Sequence, residues 1–132
     1  MDARIQILLK IIEEHGGMLQ MRSEQIGNLL GLGYARVLRL FNTEVGKPLR
    51  RHLLEVKMAR AAELLIDGVL PIKAIAFNCG YTRITNFYRD FKSVYGTSPR
   101  QMRLMQMNAQ LHDGKSLLAR SAALWPIGSA GR

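Results

Sequence analysis

Two arginines occupy the same place in a repeated pattern. Arg39 lies within Val37-Leu-Arg-Leu-Phe41 and Arg89 within Phe87-Tyr-Arg-Asp-Phe91, at an offset of 50 residues. In each stretch the large apolar residues four apart make the buried stripe of a helix, so the residues between them face outwards. An outward guanidinium can pair bidentately with a phosphate or with the O6 and N7 atoms of guanine. Around the second arginine stand Arg83, Thr85, Asn86 and Tyr88. Asparagine can pair with adenine, and threonine offers its methyl group to thymine. This is the chemistry of recognition rather than of bond making.

Charge gathers at the same two places. The 132 residues carry 19 Lys+Arg and 10 Asp+Glu, a net charge of +9. Residues 33–60 hold seven bases and two acids, for +5, and residues 82–103 hold five bases and one acid, for +4. The segments before each block, 1–32 and 61–81, are both at −1, and residues 104–132 add +2. Such blocks point to a polyanionic partner, although solvated surface charge looks the same when charge is the only signal.

Composition removes several classes. The length suits one domain, and 48% hydrophobic residues with mean hydropathy near zero belong to a globular chain. No apolar run reaches a membrane span and no signal-peptide pattern opens the chain. A single cysteine, Cys79, cannot form an internal disulfide or a multi-cysteine zinc site. Its place before Gly80 predicts a small buried residue rather than a redox switch. His15, His52 and His112 are scattered without metal-ligand spacing, and neither a glycine-rich phosphate loop nor a paired-carboxylate motif is present. No metal, no cofactor and no enzymatic activity are expected, and the location expected is intracellular.

The elements that position the two arginines read as all-α, with about seven helices. Ile5, Leu8, Leu9 and Ile12 mark an amphipathic helix that Gly16-Gly17 ends. Ser23 is placed to cap a second helix ending near Gly31, and a third runs from Tyr34 to Val45. Pro48 introduces a long helix reaching Asp67, with Leu54, Met58, Ala61 and Leu65 on one face. Pro71 opens a short helix through Asn78. Thr82 is placed to cap the next, which runs to Tyr95, and Ser98-Pro99 starts a last one to about Met107. The expected organisation is a domain over 1–107, divided into 1–47, a linker helix 48–67 and 68–107, followed by a flexible tail 108–132 that contains Trp125.

The chain also repeats itself. Ile26-Gly-Asn-Leu-Leu-Gly-Leu32 matches Ile75-Ala-Phe-Asn-Cys-Gly-Tyr81 at an offset of 49, and Gly46 matches Gly96 at 50. Each half reads as helix, glycine-containing turn, helix and glycine stop, which is the helix-turn-helix unit. The small residue at 27 or 76 lets the helices cross closely. The glycine at 31 or 80 ends the first helix, and Leu32 or Tyr81 fills the corner.

The run Ile72-Lys-Ala-Ile-Ala-Phe-Asn-Cys-Gly-Tyr-Thr-Arg-Ile-Thr-Asn-Phe-Tyr-Arg-Asp-Phe-Lys-Ser-Val-Tyr-Gly-Thr-Ser-Pro-Arg-Gln-Met-Arg103 closely resembles the signature of AraC/XylS-type transcriptional regulators. Lys57-Met-Ala-Arg-Ala-Ala-Glu-Leu-Leu65 resembles the central linker helix of that family. The resemblance covers about residues 5–103. It implies a bacterial DNA-binding domain with two helix-turn-helix units joined by a long helix and acting at promoters. The positions matching the family's base contacts are Ala35, Arg36, Leu38 and Arg39 in the first unit. In the second they are Ile84, Thr85, Asn86, Tyr88 and Arg89. Gly27 stands where the family usually has alanine, which is expected to weaken that helix by about 1 kcal/mol. Gly33 stands where a capping serine is common, and Met102 where tyrosine is frequent.

A 19-residue linker helix is about 28 Å long, which suits major grooves about 34 Å apart on one face of a duplex when the DNA bends modestly. One chain is then expected to act as a monomer with two reading heads. Lys47, Arg50, Arg51, Arg83, Lys92 and Arg100 are expected at phosphates, with helix-end amides near Thr82 and Ser98. RNA polymerase is a further expected partner. A different class stays open, a module that docks on polymerase or another regulator and touches DNA only non-specifically. Many relatives carry a ligand-binding domain ahead of this one. Two alternatives stay open here: activity follows abundance, or the chain is part of a longer protein.

Overall fold

A computed structural model describes residues 1–112 of the chain, and these form seven α-helices with no strand among the described residues. They are α1 (Ala3–Glu14), α2 (Ser23–Leu30), α3 (Tyr34–Val45), α4 (Leu49–Asp67), α5 (Ile72–Asn78), α6 (Ile84–Tyr95) and α7 (Pro99–His112). The chain divides into two compact units, Met1–Val56 and the part from Lys57 onwards. The expectations for Trp125 and the rest of the tail beyond His112 lie outside the described residues.

In the first unit α1 buries Ile5, Leu8 and Ile12 along one stripe. Asp2 caps it, its carboxylate accepting from the Arg4 amide at 2.8 Å, while the Asp2 amide donates to Glu44 on α3 at 2.6 Å. The stripe packs against Ile26, Leu30, Val37, Phe41 and Leu49, the apolar centre of this unit. In the second unit Met58, Ala61 and Leu65 of α4 are buried, as are Ile75, Ala76, Cys79, Phe87, Phe91 and Met102. Its aromatic residues form a chain of tilted and edge contacts, Tyr81 to Phe87 at 5.4 Å, Phe87 to Phe91 at 5.8 Å and Phe91 to Tyr95 at 4.8 Å between ring centroids. Contact among these four rings at this spacing adds attraction beyond the area removed from water.

Helix ends depart from the sequence reading at three places. Arg22, not Ser23, precedes the first helical residue of α2, and its amide donates to the Gln25 side chain at 2.8 Å. At α6 the cap position falls on Arg83, in extended conformation. Thr82 therefore stands one residue too early for its hydroxyl to serve the first amides. α7 continues to His112, five residues past Met107, because no helix breaker occurs before Gly114. Its start agrees with the sequence: the Ser98 hydroxyl accepts from the Gln101 amide at 3.1 Å, and the Gln101 side chain accepts from the Ser98 amide at 3.4 Å. That reciprocal pair is a capping box.

Candidate nucleic-acid interface

The two helix-turn-helix units share their backbone bonds as well as their residues. In the first, the Leu32 amide donates to the Gly27 carbonyl at 3.0 Å and the Gly31 amide to Asn28 at 3.3 Å. In the second, Tyr81 donates to Ala76 and Gly80 to Phe77, both at 3.0 Å. Gly31 and Gly80 have φ of 70° and 91°, the left-handed region this turn requires. After the turn the offset becomes 50. Gly46 bonds to Asn42 and Gly96 to Lys92, then His52 to Pro48 and Met102 to Ser98. The repeat therefore continues into the first turn of the following helix in each unit.

Each second helix buries one side and exposes the other. Val37 and Phe41 of α3 are fully buried, as are Phe87 and Phe91 of α6. Ala35, Arg36, Leu38 and Arg39 all lie exposed on α3. On α6, Ile84, Thr85 and Arg89 are exposed, while Asn86 and Tyr88 are half-buried. Positions 35, 38, 39 and 42 share one face, and 85, 88, 89 and 92 share its counterpart. The sequence reading passed over Asn42, which is exposed and in register with Lys92. Tyr34, half-buried in register with Ile84, escaped it as well. The offset of 50 was the signal that pairs both residues with sites already singled out.

The cations named for phosphates fall into two groups. Arg50, Arg83, Lys92 and Arg100 are exposed, as is Thr82, and Ser98 is half-buried at its cap. Arg50 and Arg100 occupy the same register position after a buried Leu49 or Pro99. Lys47 and Arg51 are instead held by Glu55. The Lys47 ammonium contacts one carboxylate oxygen, and the Arg51 guanidinium reaches the other at 3.1 Å. Burial alone would raise the Glu55 carboxyl, but these two cations outweigh it and hold the group below its ordinary value.

His52 follows the repeat but not its chemistry. It is buried where the second unit has Met102, and its ring leans on Phe41 at 5.5 Å. Its Nδ1 is buried without a hydrogen-bond partner among the described residues. Burial pushes its pKa down, with Lys47 adding to the effect and Glu55 and Glu13 opposing it. The unfolded chain therefore takes up a proton that the folded unit resists. The stability this neutral ring contributes is complete above about pH 6.5 and is lost as the pH falls towards the depressed value. Urea unfolding is expected to show a lower midpoint at pH 5.5 than at pH 7.5, and His52→Met is expected to shrink that difference. An equal pH dependence in the two proteins would exclude this histidine as its cause.

Cys79 is buried in the second unit, and burial pushes its thiol up, with Arg60 and Lys57 opposing. Such a thiol stays protonated and inert. Among the described residues no group of three or more His, Cys, Asp or Glu is placed to hold a metal, and no helix is long and apolar enough to cross a membrane.

Two helix-turn-helix units, with arginines on the exposed faces of their second helices, define a DNA-recognition domain. A family model described as a helix-turn-helix domain matches residues 26–105, and the chain belongs to that family in its AraC/XylS form. This is a DNA-binding family of transcription regulators and not of enzymes. The chain is 30% identical over 83 residues to the xylose operon regulatory protein of Escherichia coli K12, covering 63% of this chain and 21% of that one. It is 28% identical over 102 residues to the HTH-type transcriptional activator RhaS of Escherichia fergusonii, covering 77% and 36%. It thus spans between about a fifth and a third of these relatives. Among solved structures, the C-terminal domain of AraT, a response regulator from Geobacillus stearothermophilus, superposes with a TM-score of 0.71 at 28% identity, covering 79% and 86% of the two chains. The C-terminal domain of the two-component response regulator yesN from Fusobacterium nucleatum gives 0.68 at 26%, covering 77% and 99%.

Proposed function

We propose that this chain regulates transcription by placing α3 and α6 in adjacent major grooves of one promoter duplex, as a monomer. The observation that carries the reading is the register match of the two exposed faces. Ala35, Arg36, Leu38 and Arg39 on α3 correspond to Thr85, Asn86, Tyr88 and Arg89 on α6 at a constant offset. A chain that binds one groove has no need of a second face built to the same plan. α4, at 19 residues, enters both units, and its length of about 28 Å suits a groove repeat of about 34 Å with modest bending.

In this reading Arg36 and Arg39 read bases in one groove, and Ile84, Thr85, Asn86, Tyr88 and Arg89 read them in the next. Arg50, Arg83, Lys92 and Arg100 hold phosphates, whereas the Ser98 and Gln101 amides are already taken up by the capping box. Lys47 and Arg51 contribute less, since Glu55 already occupies them.

Selection of bound fragments from random duplexes is expected to return two conserved boxes about one helical turn apart. Four phosphate contacts predict that log Kobs falls against log salt with a slope of about −4 or steeper. A steep slope with no enriched sequence would favour the other class, a module that docks on RNA polymerase and touches DNA without choosing it. A flat slope would exclude DNA as the ligand.

A further inference from the structure

The second unit contains a polar chain that the first lacks. Tyr81, in the turn, donates its hydroxyl to one oxygen of Asp90 on α6 at 2.6 Å. The other Asp90 oxygen faces Nε of Arg89 at 3.4 Å. The tyrosine ring is itself held, packing on Phe87 at 5.4 Å and lying under the Lys57 ammonium at 4.8 Å. At the corresponding places of the first unit stand Leu32 and Leu40, which can form no such bonds.

From this asymmetry we infer that Asp90, anchored by Tyr81, is a positioning residue that sets the direction of the Arg89 guanidinium and so the base preference of α6. The inference rests on the reading of α6 as a base-contacting helix. The Arg89 side chain is 70% exposed, so alone it would sample many rotamers and lose that freedom on binding. A carboxylate at Nε leaves the donors of both terminal nitrogens available, the pair that can meet O6 and N7 of guanine. Asp90 can act in this way only if it is itself fixed. Its side chain is 24% exposed, and the short bond from Tyr81 is of the charge-assisted kind. Burial and the Asp90 carboxylate raise the Tyr81 phenol above its ordinary value, so the hydroxyl remains a donor throughout the physiological range.

The two conservative variants, Tyr81→Phe and Asp90→Asn, remove one link each and keep the shape of the core. Binding is measured against the duplex selected by the wild type and against duplexes with the guanine pair opposite Arg89 replaced. Each variant is expected to lose about three- to tenfold of the discrimination at that pair, with the preferences at the other positions unchanged. The double variant is expected to lose no more than either single one, since both act through the same arginine. Unchanged discrimination in both variants would overturn the inference. So would tighter binding of every duplex by a common factor, which would make Asp90 a repelling charge alone. A wild type that selects no sequence would overturn the DNA reading itself, and this inference with it.

Discussion

Gly27→Ala is expected to destabilise the first unit, although alanine is the better helix former. Propensity alone predicts a gain of about 1 kcal/mol for replacing a helical glycine. The geometry opposes it. A Cβ at position 27 would lie 2.5 Å from the Leu32 carbonyl oxygen and 3.4 Å from the Tyr34 amide nitrogen. Both are backbone atoms of the turn, so no flexible side chain can move aside. Crowding costs about 1–3 kcal/mol, and a 2.5 Å approach to backbone belongs in the upper part of that range, about 2–3 kcal/mol. After the propensity gain of about 1 kcal/mol the expected net loss is about 1–2 kcal/mol, or roughly 5–10 °C in the thermal midpoint.

The second unit explains the strain and offers its cure. Ala76, at the equivalent place, is buried without difficulty. Between Gly80 and Ile84 stand three residues, while between Gly31 and Tyr34 stand only two. The shorter turn draws the start of α3 over position 27, where only hydrogen fits. One serine inserted between Leu32 and Gly33 is therefore expected to restore most of the stability of Gly27→Ala. The midpoints of the single variant, the insertion and their combination decide the matter. A Gly27→Ala protein as stable as the wild type would mean that the turn relaxes freely and propensity prevails.

Arg89→Ala is expected to cost more base discrimination than Arg39→Ala. A good bidentate arginine–guanine pair is worth about 1–3 kcal/mol against the wrong base. On the proposed reading Asp90 orients that arginine on α6, and its neighbours Thr85, Asn86 and Tyr88 can add hydrogen bonds and a methyl contact. On α3 its neighbours Ala35 and Leu38 can make apolar contacts only, and Leu40 supplies no carboxylate to hold the guanidinium. A scan of single base substitutions across the selected site measures the loss for each variant. Equal losses would place the two recognition helices on the same footing.

Much of the fold was legible because its signals are local. Glycine stops, Pro99 after a capping serine and apolar spacings of three and four residues are each decided within one or two turns of chain. The helix α3 and the long helix α4 carry the residue bounds expected from them. The caps were less legible. Ser23 and Thr82 are good capping residues by type, yet the first helical residue follows Arg22 and Arg83, since the angle at which each turn delivers the chain selects the cap. Gly27 has a related dependence, which helix propensity does not carry. Its role depends on the carbonyl of Leu32, whose position is set by the length of the turn and not by the helix that contains the glycine.

The exposed faces of α3 and α6 followed from the internal repeat, which orders residues around each helix without reference to anything distant. By itself the sequence determined that the chain is helical, that two units share one plan, that the +9 charge is concentrated in them, and that DNA is the partner those features suit. Tertiary structure alone decided which of those charges are at liberty. Lys47 and Arg51 look like their neighbours Arg50 and Arg100 until Glu55, on the next turn of α4, is found between them. Asp90 looks like a stray acid until the Tyr81 hydroxyl is found on it. Charge and helical period are properties of the chain order, whereas an ion pair or a hydrogen bond needs two atoms within about 3 Å, a distance that only packing sets.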